Sequence, residues 1–172
     1  MPVKSGPTLP EVFAEHARYV WRTLRYLGVA EAEVPDVCQE VFITVQRKLP
    51  SFEGRSSVRT WLYGICIRVA SDHRRKAYVR RERATAEPLA ETGERTGAEP
   101  DSRVEQRAAV RALLDLLDDE KREIVVLYEI EGFTMKEVAE IVGCPMQTAY
   151  SRLHAARELM LAALEREEKA ER

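Results

Sequence analysis

Little in this 172-residue chain can tie a fold together covalently. Its three cysteines, Cys38, Cys66 and Cys144, are odd in number and far apart, which excludes a disulfide framework and a zinc knuckle. That usage suits a reducing compartment and predicts a cytoplasmic protein. No apolar run reaches the roughly 18 residues that a bilayer span needs, so no membrane insertion is expected. Met1–Pro10 lacks a basic stretch followed by an apolar one, so no secretory signal is expected either. Catalytic motifs are missing as well: there is no Gly-rich phosphate loop, no His-Glu-x-x-His pair and no nucleophile elbow. His16, His73 and His154 are scattered and read as surface or boundary residues. The carboxylates of Asp118, Asp119, Glu120 and Glu123 cluster, but their place between helices favours N-terminal capping over metal binding. The sequence therefore predicts no enzyme, no metal and no cofactor.

What is present is a foldable, charge-polarised chain. Hydrophobic residues make up 45% and charged residues 33%, enough for a packed core and against wholesale disorder. The net charge of -2 conceals an asymmetry. Residues 1–86 hold 15 basic against 9 acidic residues, whereas residues 87–172 hold 12 against 20. The basic excess is densest in Arg55–Arg83, with 9 basic and 2 acidic residues. Such a split suits a polyanion partner for the first half or, equally, a solvated basic face.

Apolar spacing is helical throughout, and the predicted fold class is all-α: two small helical domains joined by a flexible linker. The linker, residues 84–102, has one Leu, no aromatic, and many small or acidic residues, too little apolar area to offset the entropy of ordering. It separates a domain over 1–83 from one over 103–172. In the first, Pro10 sits at the first turn of a helix running to Leu27, with Gly28 as its stop. A second opens at Pro35. Its stripe is Val34, Val37, Cys38, Val41, Phe42, Val45 and Leu49, with Asp36, Gln39, Glu40, Ile43 and Arg47 opposite. After the polar loop Pro50–Ser56, Ser57 caps a third helix reaching about Arg81, with the stripe Val58, Trp61, Leu62, Ile65 and Val69.

The second domain carries a helix near Val104, another over about Asp119–Ile130, and then the most informative stretch. Thr134-x-x-Glu137 is a capping box opening a short helix, and Gly143 supplies a left-handed stop. Pro145 begins the next helix, with Ala149, Leu153, Ala156 and Met160 inward. This is a helix-turn-helix pattern, whose second helix enters the DNA major groove. The outward residues Gln147, Thr148, Tyr150, Ser151 and His154 suit base edges, with Arg152 and Arg157 on phosphates. In the first domain, aromatic and basic residues share the third helix. Trp61 lies on the apolar stripe and reads as core. Arg59, Tyr63, Arg68, Arg74 and Arg75 read as nucleic-acid contacts.

Two segments carry a family resemblance. Val34–Phe42, Phe52-Glu53-Gly54 and Thr60–Ile65 resemble region two of bacterial RNA polymerase sigma factors of the extracytoplasmic-function (ECF) group. Glu131–Ala139 and Cys144–Leu153 resemble region four of that group. The resemblance implies a factor that binds RNA polymerase core, at the clamp of the largest subunit and at the second-largest subunit, and directs initiation at chosen promoters. It implies core binding through Asp36, Gln39, Glu40 and Ile43. It implies that Pro50–Ser57 captures a flipped base of the downstream (minus-ten) element, with Phe52, Arg55, Arg59, Tyr63, Arg68, Arg74 and Arg75 on that DNA. Region four then reads the upstream (minus-thirty-five) element through Gln147, Thr148, Tyr150, Ser151, Arg152 and His154. An anti-sigma factor is a further expected kind of partner. The chain departs from common family residues at Ile67-Arg68, Gln147, Tyr150 and Ala155. The alternative is a stand-alone helix-turn-helix regulator.

Overall fold

The computed structural model describes residues 6–84 and 102–170, and every regular element among them is helical. These are α1 (Leu9–Tyr26), α2 (Val34–Lys48), α3 (Val58–Ala84), α4 (Ser102–Asp115), α5 (Asp119–Val125), α6 (Met135–Val142) and α7 (Met146–Ala170). The expected linker lies outside the described residues, apart from its two ends. Helix α5 continues into one π turn, Val126–Ile130, so the single helix expected over Asp119–Ile130 changes winding midway.

Local chemistry sets the helix ends. Thr8 and Glu11 form a capping box at α1, and Pro10 sits in its first turn as read from the sequence. Ser57 Oγ accepts the Thr60 amide at 3.0 Å, as its capping role requires. Asp118 accepts the Lys121 amide at 2.9 Å and caps α5. Thr134 Oγ1 accepts the Glu137 amide at 3.4 Å, and Glu137 Oε2 accepts the Thr134 amide at 2.8 Å. Gly143, at φ 76 and ψ 39, ends α6 in the left-handed region that only glycine enters cheaply.

Helices α1, α2 and α3 pack on one another, and α4, α5 and α6 pack on α7. The two modules also meet, α3 against α6 and α1 against α4. The buried side chains form one continuous cluster from Val12 to Ala156. The reason lies in α3. Leu62, Tyr63, Ile65, Cys66, Ile67 and Ala70 are all buried, and at 100° steps the consecutive residues Ile65–Ile67, with Leu62 and Tyr63 a turn before them, cover more than one face. One side of α3 fills the first module; another is left to be covered by the second. Burial pushes the Cys66 thiol well up and Cys38 up, so neither is a ready thiolate.

Candidate nucleic-acid interface

On α2, the alternation of buried Val37, Val41 and Val45 with polar residues turns Asp36, Gln39, Glu40 and Ile43 outward, all four exposed. Ile43 keeps 40% of its surface in solvent, an apolar spot inside an acidic and polar face. Asp36 and Glu40 line one wall of an open groove of about 660 Å³ whose other wall carries His73, Lys76 and Arg80 of α3. The face thus holds both signs of charge around a few apolar atoms, a composition suited to another protein rather than to a polyanion.

At the other end of α3, the loop after α2 forms a small cavity of about 260 Å³ lined by Ser51, Phe52, Glu53, Arg55, Ser56 and Trp61. The Phe52 and Trp61 rings lie 4.9 Å apart at 45°. Trp61, read as core, is only half-buried and supplies an aromatic wall of this cavity. Arg55 is exposed and pairs with Glu53 at 2.5 Å. Arg68 and Arg75 are exposed on α3.

Tyr63 and Arg74 call for correction as surface residues. Tyr63 has no exposed area: its ring packs edge-on against Tyr19 (4.5 Å) and Phe133 (5.0 Å), and its hydroxyl is 3.1 Å from Thr23 Oγ1. It lies off the apolar stripe of Val58, Trp61, Leu62 and Ile65, on a face that the second module covers through Phe133. The Arg74 side chain is 14% exposed. Its Nη1 donates to the Leu27 carbonyl, and its Nε lies 2.9 Å from Asp119 Oδ1. That ion pair is misaligned, leaving Nε without a hydrogen bond, so the Leu27 carbonyl is the better-satisfied contact. Glu123 lies 3.7 Å away. Burial pushes the Glu123 carboxyl up to about 7 against the pull of Arg74. The acidic cluster at Asp118–Glu123 therefore both caps α5 and faces the first module.

The second module presents α7 as a helix-turn-helix second helix. Gln147, Tyr150, Ser151 and His154 are exposed, Thr148 is half-buried, and Ala149, Leu153 and Ala156 are buried against α5 and α6. Tyr150 shows 52% of its surface. Arg152 is tied at 2.7 Å to Glu120, and Arg157 Nε donates to Glu129 at 2.8 Å. Both pairs occupy the cations assigned to phosphates.

Sequence reasoning missed the seam between the modules. Glu131, a motif residue with no assigned role, is 6% exposed and sits between Arg22 of α1 and Arg59 of α3. Arg22 Nη2 donates to both carboxylate oxygens at 3.0 Å, and Arg59 Nη2 donates to Oε2 at 3.3 Å and to the Glu131 carbonyl at 2.5 Å. The Arg59 guanidinium also lies 4.7 Å from the Phe133 ring centre. On the far side, the Arg122 guanidinium fits against Gly28, where a β-carbon would collide with it, and Nε donates to the Leu114 carbonyl at 3.0 Å. The only sequence signal for this seam was the second apolar face of α3.

Comparison with known proteins bears on the same two halves. Residues 12–80 match the family model "Sigma-70 region 2", and residues 107–160 match "Sigma-70, region 4". The ECF RNA polymerase sigma factor SigC of Mycobacterium tuberculosis is 32% identical over 156 residues, covering 85% of this chain and 77% of that protein. The ECF RNA polymerase sigma-E factor of Escherichia coli K12 is 34% identical over 139 residues, covering 76% and 73%. Among solved structures, the sigma factor RpoE in complex with the anti-sigma factor NepR, from Bartonella quintana, superposes with a TM-score of 0.72 at 21% identity, covering 91% of this chain and 96% of that one. CnrH in complex with the cytosolic domain of CnrY gives 0.67 at 23% identity, covering 91% and 87%. The fold is shared with both.

Proposed function

Since this chain belongs to the ECF sigma factors, and so directs promoter-specific transcription initiation with RNA polymerase, we propose that its surfaces divide that work between core binding, base capture and upstream reading. The exposed face of Asp36, Gln39, Glu40 and Ile43 docks on the clamp of the largest core subunit. The second module, residues 103–172, holds the second-largest subunit while α7 faces the upstream element. The modules are tethered by residues 84–102.

The observation that carries this reading is the aromatic-walled cavity at Ser51–Trp61. A polymerase cofactor that opens DNA has to hold an unpaired base, and extrusion costs a few kcal/mol that a shaped site offsets. Phe52 and Trp61 offer stacking faces, worth about 1–3 kcal/mol per base, and Arg55 offers a cation at the rim. Arg59, Arg68 and Arg75 continue the basic track along α3. In the second module, Gln147 and Tyr150 sit where a major-groove helix meets base edges, with Thr148, Ser151 and His154 beside them. Arg152 joins the phosphate contacts once released from Glu120. Tyr63 acts from beneath this surface, as the support of Arg59, and Arg74 as a contact to the second module. The polymerase supplies the chemistry, and this chain the choice of site.

Two relatives of known structure are bound to anti-sigma factors, which supports an anti-sigma factor as the regulator of this chain too. As a partner of RNA polymerase the chain acts in the cytoplasm; no helix among the described residues is long and apolar enough to cross a membrane. The test is run-off transcription. Purified core polymerase plus this chain should start RNA at discrete promoters where core alone does not. Promoter binding by the chain without any effect on core would favour the stand-alone regulator.

A further inference from the structure

We propose that Arg22 and Arg59 form a binding site for a phosphodiester of the promoter strand, and that Glu131 covers it in the free chain as an internal stand-in for that phosphate. The proposal rests on the reading that the first module faces promoter DNA. It assigns a DNA contact to Arg22, which no motif marks, and a masking role to Glu131.

The two arginines belong to a platform that the first module builds alone. Both guanidinium carbons lie over the Tyr19 ring, at 5.6 Å for Arg22 and 5.5 Å for Arg59. Arg59 Nε lies 3.4 Å from the Tyr19 hydroxyl, at the long limit of a hydrogen bond. Tyr19 is itself wedged edge-on against buried Tyr63. Three other arginines of this module are offset locally, Arg25 by Glu31, Arg55 by Glu53 and Arg75 by Asp72, while Arg74 meets Asp119 and Glu123 of the second module from a nearly buried position. For Arg22 and Arg59, the described carboxylate partner is Glu131 alone, and it comes from the other module. Two cations fixed on one ring, with no neutralising group of their own, make an oxyanion site whose occupant here is removable.

Occupant and proposed ligand share their chemistry. A carboxylate and a phosphodiester each present two acceptor oxygens and one negative charge, and a planar guanidinium matches either with paired N–H groups. Oε2 of Glu131 receives both arginines, as one phosphate oxygen would. The site also lies where a backbone phosphate is needed. Arg59 precedes Trp61 by two residues in the first turn of α3, and Trp61 walls the base cavity. A strand whose base enters that cavity carries its phosphates past the α3 start. The Arg22 and Arg59 side chains keep 54% and 44% of their surface in solvent, so exchange of one anion for another needs the second module to lift away, not the first to unfold.

The masking and binding roles predict effects of opposite sign. Glu131→Gln keeps the shape and removes the charge. In the free chain it should increase acrylamide quenching of Trp61, which lines a cavity between α3 and α6 together with Glu140 and Ile141, measured with Trp21→Phe as background. It should also tighten binding of a single-stranded oligonucleotide by about tenfold and steepen its salt dependence by about two phosphates. Arg22→Gln should loosen the seam in the quenching assay as well. Yet in holoenzyme it should weaken binding to promoters found by run-off by about fivefold, with the salt slope reduced by about one. A Glu131→Gln chain that opens without gaining DNA affinity, or one that does not open, overturns the proposal. So does Arg22→Gln holoenzyme with wild-type affinity and salt slope, since the arginines then serve only the seam. If wild-type holoenzyme starts at no discrete site, it is the sigma-factor assignment that fails.

Discussion

Phe133 is the apolar counterpart of Glu131 in the seam, and its removal has a calculable effect. The ring is 6% exposed, stands edge-on to Tyr63 at 82°, and lies under the Arg59 guanidinium. Returning a buried ring of this size to water costs about 1.5–3 kcal/mol. The edge-to-face pair adds about 0.5–1.5 kcal/mol. The cation over the ring adds about 0.5–1 kcal/mol at a half-exposed site. Phe133→Ala should therefore weaken the seam by about 4 kcal/mol, the middle of a range of about 2.5–5.5, a factor of about 1,000 in the ratio of closed to open chain. Phe133→Leu keeps the apolar burial and forfeits only the aromatic terms, about 1–2 kcal/mol. Two measurements read this. A compact chain of this length has a radius of gyration of about 16 Å, and X-ray scattering of the Ala variant should show a larger one. Trp61, in the Trp21→Phe background, should become more accessible to acrylamide in the order wild type, Leu, Ala. If the Ala variant loses thermal stability while both size and quenching stay at wild-type values, Phe133 belongs to the core of the second module alone, and the reasoning about the seam fails.

Three further outcomes are expected. Asp36→Lys with Glu40→Lys should weaken core-polymerase binding by at least about tenfold while circular dichroism stays helical, because both side chains are exposed and carry no packing; unchanged affinity for core removes α2 from the interface. Stability should fall as pH rises from about 4.5 to about 7 and level off above, by at most about 3 kcal/mol in all, because burial raises the folded Glu123 carboxyl from 4.5 to about 7 while the unfolded chain gives up that proton near 4.5; once ionised in the fold, it has only Arg74 and Arg152 to offset Asp119 and Glu120. Glu123→Gln should flatten that dependence between pH 4.5 and 7.5 in thermal melts, and a Gln variant with the wild-type profile would assign it elsewhere. Gln147→Ala should cost about 1–3 kcal/mol at one base of the upstream element, seen as relaxed preference when that element is randomised, whereas uniform weakening would make Gln147 a positioning contact.

Much of the local structure was legible because it is written in neighbouring residues. The box Thr134–Glu137 and the stop at Gly143 are contacts three to five residues long, and they form as the spacing requires. The stripe Val34–Val45 on α2 fixes by elimination which residues face out, so Asp36, Gln39, Glu40 and Ile43 followed from periodicity. Pro10 marked the first turn of α1, while the capping pair Thr8 with Glu11 just ahead of it went unread. Trp61 was read as core because it shares a stripe with Leu62 and Ile65, yet it lies at the helix end, where the stripe runs out beside Phe52.

Sequence alone thus determined the helices, their caps, the two modules and the outward faces of α2 and α7, since each depends on side chains within a turn or two of one another. Tertiary structure decided which basic residues are free. Arg59 and Arg75 look alike in sequence, but one meets a carboxylate 72 residues away and the other only Asp72 of its own helix. Tyr63 and Tyr150 look alike as aromatic residues on basic helices, but one is sealed and the other open. The physical reason is range. A helix repeats every 3.6 residues and can announce that it has two apolar faces, but not what will cover the second. That depends on another module docking there, through contacts such as Glu131 with Arg22, whose distance along the chain no periodicity records.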